Sequence, residues 1–476
     1  MLVGREKEKI LLHQAFLADR SRFIAVYGRR RVGKTFLIRE AFDYSFTFEH
    51  SGLAKGKYKE QLAAFAESLA DAGYKDVNVP QNWMDAFRQL KNLIRGSKDD
   101  KKVIFIDELS WMDTAKSDLM MSLESFWNGF ASARKDIVLI VCTSATSWIL
   151  KNVIHDKGGL HNRVTDKISL QPFNLHECEN YLESKGIQME RYDILEGYMA
   201  MGGIPYYWDF IQSGRSMTQN INAIFFGKDA ALKDEFDYLY ASIFKKPEDY
   251  IKIITALGKK KIGMTRGEIS QETGLTCNGA FSKKIEELES CGFVRRYHEY
   301  GKKNMGSVIQ LIDNYTLFYF KFLENHPSDS KYWEKSIDSP GRRAWSGLAF
   351  ERVCLQHSEQ IRKKLGVSGV LTDESSWKCE SDADKGIYGS QVDLVIDRKD
   401  RVINLCEMKY AMLEYEITKE YDRKLKEKVS DFKNSTGIKS SIYLTIVTTY
   451  GLKPNKYSGH VQSVVTAADL FEPSEL

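Results

Sequence analysis

Three groups of residues have types and spacings that could do chemistry. Gly28-Arg29-Arg30-Arg31-Val32-Gly33-Lys34-Thr35 is a complete G-x-x-x-x-G-K-T pattern. Backbone N–H groups between Gly28 and Gly33 can wrap a phosphate, and glycine at both ends permits a close approach that a Cβ would block. Lys34 would meet the β- and γ-phosphates of a nucleotide, and the Thr35 hydroxyl would hold Mg2+. Asp107-Glu108 follows four apolar residues. There Asp107 would hold the Mg2+ through water, and Glu108 would polarise the water that attacks the γ-phosphate. Toward the other end, Ser390-Gln391-Val392-Asp393 and Glu407-Met408-Lys409 offer two carboxylates and a lysine. Two carboxylates can hold one or two divalent cations, and a lysine beside them can stabilise a developing phosphate charge or help activate water.

Each group needs elements to position it. The apolar run 23–27 reads as a buried strand entering the glycine loop, and 36–42, opened by Phe36, reads as a helix. The positive end of that helix would help the loop hold an anion. Residues 103–106 and 137–142 read as buried strands. The first places Asp107 and Glu108 at its carboxyl end, where open α/β sheets bind ligands. The second ends in Thr143 and Ser144, one of which could sense the γ-phosphate; both could equally be strand-end turn formers. A strand is expected within 45–50, between the two motifs in sequence, and another at 167–173. An added strand suits water-activating ATPases better than simple nucleotide kinases. Repeated strand–helix alternation predicts a doubly wound, mostly parallel sheet. Arg29, Arg30 and Arg31 could face nucleotide, nucleic acid or solvent, and a solvated or acid-paired face is expected for at least two of them.

Residues 176–246 read as helical, at the position of a lid over the nucleotide, with Gly202 and Gly203 as a hinge. From 249 to 312 two capped helices precede two strands that flank Gly301-Lys302-Lys303. That order is a winged helix-turn-helix, whose wing-tip Lys302 and Lys303 could meet DNA phosphates. Glu286, Glu287 and Glu289 make its second helix partly acidic, so packing or protein contact is the alternative. The polar stretch 324–340 sets a boundary. Beyond it lie an amphipathic helix carrying Glu351 and a hairpin turning at Arg398-Lys399-Asp400-Arg401. Period-two alternation puts Glu407 and Lys409 on one side, away from Met408, with Asp393 near them on the partner strand and Gln391 sharing the Asp393 face. An exposed strand that merely alternates Glu and Lys has the same spacing.

A chain of 476 residues, 43% hydrophobic and 28% charged, is expected to form two to four globular domains. Its 8 prolines argue against long disordered linkers, and a net charge of +4 neither demands nor excludes nucleic acid. No apolar run approaches membrane-spanning length, and the opening residues lack a signal-peptide core. The 7 cysteines are scattered without a C-x-x-C pair, which reads as reduced thiols of a cytoplasmic protein.

Leu2-Val3-Gly4-Arg5-Glu6, the glycine loop, Ile106-Asp107-Glu108, Leu170-Gln171-Pro172-Phe173 and Gly202-Gly203-Ile204-Pro205 together resemble the archaeal-type P-loop ATPases of the STAND and AAA+ neighbourhood. The resemblance implies that Arg5, Glu6 and Pro205 lie near the adenine. Where that family often has Gly-Arg before the last strand, this chain has His161-Asn162-Arg163. Arg163 would reach a γ-phosphate, in the same chain or in a neighbour of a homo-oligomer, or else is a surface charge. The C-terminal pattern is similar to the PD-(D/E)xK nucleases, with Val392 in place of the proline. That likeness implies Asp393 and Glu407 as metal ligands, Glu351 as an accessory ligand and Lys409 as the catalytic lysine.

The expected organisation is α/β and multidomain: a P-loop ATPase core over 1–175, a helical lid over 176–246, a winged helix over 247–325 and a restriction-endonuclease-like domain over 340–476. The expected function is ATP binding and hydrolysis coupled to action on DNA, with ATP and Mg2+ as cofactors and Mn2+ an option at the nuclease-like site. The alternative is a nucleotide-gated signalling or assembly switch whose C-terminal domain is an inactive docking platform.

Overall fold

Continuous apolar runs become strands that are covered on both faces, as a parallel sheet requires. β1 (Arg22–Tyr27), β2 (Phe48–Ser51), β3 (Lys102–Asp107), β4 (Ile137–Thr143) and β5 (Asp166–Ser169) form one sheet in the order β2-β3-β4-β1-β5. Every pairing in it is parallel, and β3 and β4 are buried along their whole length. The computed structural model describes residues 2–155, 158–244, 246–302, 307–324, 329–382 and 387–474. The chain divides into two compact units, Met1–Pro172 and Phe173–Glu475. In the first, Phe23, Phe48, Phe65, Trp83, Phe87 and Phe126 fill the core between the sheet and the helices Tyr58–Asp71, Trp83–Gly96 and Leu119–Phe126.

Two expectations change in detail. The strand expected within 45–50 forms as β2 at the sheet edge, whereas the strand that separates β1 from β3 in space is β4. The strand expected at 167–173 ends at Ser169. Leu170 still donates its N–H to the Tyr27 carbonyl, but Pro172 has no N–H to continue a ladder.

The second unit begins with the helices Leu175–Ser184, Arg191–Met201, Met217–Phe225 and Glu235–Ile243. Gly202 and Gly203 sit at a tightly packed joint. The Phe173 N–H donates to the Gly203 carbonyl at 2.7 Å, and a Cβ on Gly203 would lie 1.7 Å from the Phe173 oxygen. The Trp208 indole donates to the Gly202 carbonyl at 2.8 Å. These bonds fix the pair locally: Gly203 answers to close backbone approach, and Gly202 to its positive φ of 64°.

Next come β6 (Met264–Thr265), β7 (Val294–Tyr297) and β8 (Val308–Leu311), antiparallel in the order β6-β8-β7. The helices beside them, Arg266–Thr273 and Gly279–Ser290, begin at the side-chain caps Thr265 and Asn278. The stretch read as a polar boundary buries Trp333 against Phe226, Phe318, Phe322 and Trp345. Ser339 then caps the helix Pro340–Gln356.

The last sheet holds β9 (Thr372–Cys379), β10 (Ser390–Arg398), β11 (Val402–Lys409), β12 (Ser441–Thr448) and β13 (Ser463–Thr466), in the order β13-β12-β11-β10-β9. β9, β10 and β11 are antiparallel, and β11, β12 and β13 are parallel. The helix Lys419–Thr436, capped by Thr418, packs Phe432 on Trp377. β9 is too polar to stand out in the sequence.

Candidate functional site

Because β1, β3 and β4 run parallel, their carboxyl ends meet at one edge of the sheet and bring three distant segments together. Gly28, with φ 148°, leaves β1 so close to the returning chain that a Cβ would lie 2.3 Å from the Leu170 oxygen. Arg31 and Gly33 also have positive φ, at 70° and 89°, and curl the loop into the helix Lys34–Ala41. Lys34 is buried, and its Nζ donates to the carbonyls of Gly28 and Arg29 at 3.0 Å each. The Thr35 hydroxyl donates to Asp107 Oδ2 at 2.6 Å. A hydroxyl and a carboxylate so placed are hard oxygen donors that fit Mg2+.

Glu108 stands at φ 45°, an uncommon backbone state for a residue with a Cβ and one often found at functional positions. Its N–H donates to Asp107 Oδ1 at 2.8 Å. Its carboxylate takes the Ser144 N–H at 3.1 Å, the Ser144 hydroxyl, and the Thr143 hydroxyl at 3.3 Å. Thr143 in turn bonds Ser110 at 2.7 Å. Both strand-end hydroxyls thus face Glu108.

The remaining loop residues differ in exposure. Arg29 and Val32 are buried, Arg30 and Arg31 are partly buried, and Phe36 is exposed. Arg5 is buried, with left-handed backbone, and donates to the Gln171 carbonyl at 2.7 Å. Glu6 is exposed and pairs with Lys9 at 2.6 Å. Arg163 is exposed beyond the turn at Asn162. Pro205 opens the short helix Pro205–Trp208 in the second unit.

The C-terminal carboxylates are organised differently. Glu407 and Lys409 share a face of β11 and pair at 3.0 Å. Lys428, from the helix Lys419–Thr436, pairs with Glu407 at 2.6 Å. Burial pushes the Glu407 carboxyl up, but Lys428 and Lys409 together outweigh it and hold the group below its ordinary range. Burial, and Glu407 beside it, push the Tyr421 phenol far up. Asp393 accepts from Gln391 Nε2 at 2.6 Å. Leu394 faces Cys406 across the hairpin, so continuing the register by one residue puts Asp393 opposite Glu407. An irregularity between Val392 and Val395 in the pairing with β9 falls at the same place, where bulges commonly re-aim a side chain.

Glu351, on the helix Pro340–Gln356, pairs with Lys261 at 2.7 Å. Burial and then the nearby Asp393 raise its pKa, against the pull of Lys261. Its Oε2 is buried without a hydrogen-bond partner, and an orphaned oxygen next to a second carboxylate fits a divalent cation. Among the described residues, however, no three His, Cys, Asp or Glu side chains gather as a metal cluster. Lys261 and Lys428 were not singled out in the sequence, where nothing distinguishes them from other lysines. Lys302 pairs with Glu299 at 2.6 Å, and Lys303 lies outside the described residues.

Residues 2–209 match the family described as an ATPase domain predominantly from Archaea. An uncharacterised protein of Methanocaldococcus jannaschii is 24% identical over 382 residues, covering 76% of this chain and 78% of its own. Among solved structures, a Walker-type ATPase of Pyrococcus abyssi matches with a TM-score of 0.48 at 14% identity, over 67% of this chain and 96% of its own. The ORC2 protein of Aeropyrum pernix matches with a TM-score of 0.42 at 13% identity, over 75% and 96%. Among the described residues no helix is long and apolar enough to cross a membrane.

Proposed function

We propose that the chain is an ATP-hydrolysing protein that acts on DNA through its C-terminal carboxylate site, under control of the nucleotide state. The observation that carries the ATPase half is the bond between Thr35 and Asp107, with Glu108 beside it at the mouth of the glycine loop. In this reading the loop amides and Lys34 hold the β- and γ-phosphates, and Thr35 and Asp107 hold Mg2+. A Mg2+ held by Thr35 and Asp107 would supply neutralisation of the charge that develops on the phosphates. Glu108, aligned by Ser144 and Thr143, orients the attacking water and accepts its proton. Arg5 and Glu6 contribute to the adenine pocket, and Arg163 approaches the γ-phosphate from the same chain or from a second copy.

For the DNA half, the support is the shared face of Glu407 and Lys409, the register that sets Asp393 opposite, and Glu351 from the preceding helix. A divalent cation held by these carboxylates would supply charge neutralisation at a scissile phosphate. Lys409 would stabilise the anionic phosphate oxygens, and the Lys-rich helix Lys419–Thr436 would meet the backbone. The segment 247–325 is read as a winged helix and 340–476 as a nuclease-like domain. Incubation of supercoiled DNA with Mg2+ or Mn2+, with and without ATP, tests this. Wild type should nick or linearise the DNA, and Lys409→Ala should not.

A second reading has its own observation. Glu407 is engaged by two lysines and Glu351 by one, which is how an inactive docking platform would neutralise inherited carboxylates. Absence of cleavage on every substrate, with ATP-dependent partner binding or assembly, would favour that switch.

A further inference from the structure

Lys261 lies in the turn between the helix Glu248–Gly258 and β6, on the three-stranded part of the second unit. Its backbone is pinned: the Lys261 carbonyl accepts from Arg352 and, at 3.0 Å, from Gln310 Nε2. The neighbouring Ile262 carbonyl accepts from the Tyr297 hydroxyl. These donors come from the helix Pro340–Gln356, from β8 and from β7, so the turn is tied to both sides of its surroundings. The result is that the Lys261 ammonium is set 2.7 Å from Glu351 Oε1.

The two partners are unequally placed. The Lys261 side chain is 48% exposed and the Glu351 side chain 11% exposed. Water would solvate the lysine wherever it pointed, so the pair serves the acid more than the base. It serves it incompletely, because Glu351 Oε2 is buried with no partner. An unsatisfied buried carboxylate oxygen is costly, and a monovalent ammonium on one oxygen is a poorer match for it than a divalent cation shared with a second carboxylate.

We propose that Lys261 is an internal counter-cation of the C-terminal site: its ammonium takes the charge-neutralising place on Glu351 that a divalent cation would fill, so the 259–263 turn controls whether the site accepts one. The inference rests on the reading of Glu351 and Asp393 as cation ligands. It gives the three-stranded segment a regulatory task, since any partner or rearrangement that lifts the turn frees Glu351.

The test is Mn2+ binding to the full chain without nucleotide, followed by loss of the free-Mn2+ resonance. The variants are Lys261→Met, Lys261→Arg and each of these with Asp393→Asn. The pinning bonds are made by the Lys261 carbonyl, so the methionine variant keeps them. Removing one charge from a half-exposed pair should tighten the Asp393-dependent binding by about tenfold. Lys261→Arg should stay at the wild-type level. Equal Asp393-dependent binding by wild type and Lys261→Met would overturn the counter-cation role and leave the cation site standing. No Asp393-dependent binding in any variant would overturn the cation reading itself, and the inference with it.

Discussion

The two carboxylate sites neutralise their acids by different means. At the end of β3, Asp107 and Glu108 are surrounded by neutral donors: the Thr35, Thr143 and Ser144 hydroxyls and two backbone N–H groups. Such donors orient a carboxylate but leave its charge, which a cation or a polarised water then uses. On β11 and the helix Pro340–Gln356, Glu407 and Glu351 are instead met by Lys409, Lys428 and Lys261. A lysine cancels the charge and competes with a metal. The first arrangement is organised to receive its ligand, whereas the second must give up a contact before it can.

The largest expected effect tests that difference at its root. Lys34→Met removes the one ammonium inside the glycine loop and should weaken ATP binding by about 100-fold, measured by titration with a fluorescent nucleotide. Lys409→Met should leave ATP binding unchanged; a shared loss would show that the two sites are not chemically separate. Gly28→Ala should destabilise the first unit by about 3 kcal/mol in urea unfolding, because the Cβ meets the Leu170 oxygen in a strained backbone state.

A buried histidine in each unit offers a matched pair. Burial lowers His50 and His357 from the ordinary 6.5 to about 4. His357 Nε2 accepts the Leu175 N–H at 3.0 Å, a bond that protonation would destroy. The unfolded chain binds protons below pH 6.5 while the folded chain resists until about 4, so stability is lost as the pH drops through that window. Each histidine should cost about 2 kcal/mol between pH 7 and pH 5. Urea unfolding of His357→Gln at the two pH values should show the second unit's share of that loss removed. The smallest effect belongs to Ser144→Ala, which takes one hydroxyl from Glu108 and leaves the Thr143 hydroxyl and the backbone N–H. Steady-state phosphate release should fall by about tenfold in kcat with KM nearly unchanged.

The same contrast explains what could be read from the sequence. The glycine loop is contiguous, and its chemistry is mostly backbone, so Gly28, Lys34 and Thr35 were legible without neighbours. Asp107 and Glu108 were legible because a strand of pure apolar residues must end at the ligand edge of such a sheet. The role of Ser144 needed the order β3-β4, which local patterns do not encode. The C-terminal hairpin was visible from its alternation, but Lys261 and Lys428 reach their carboxylates from 90 and 21 residues away. No periodicity marks one lysine among many on a solvated helix or turn. β9, with the sequence Thr-Asp-Glu-Ser-Ser-Trp-Lys-Cys, is hidden because it is a sheet-edge strand with three side chains fully or partly in water for each buried one, so its pattern is polar.

The most direct test of the account is ATP turnover by the full chain with Mg2+, wild type beside Glu108→Gln. Loss of the carboxylate proposed to orient water should lower phosphate release by at least about 100-fold while nucleotide binding persists. Undiminished turnover in Glu108→Gln would contradict the assignment of the β3 edge as the hydrolytic site.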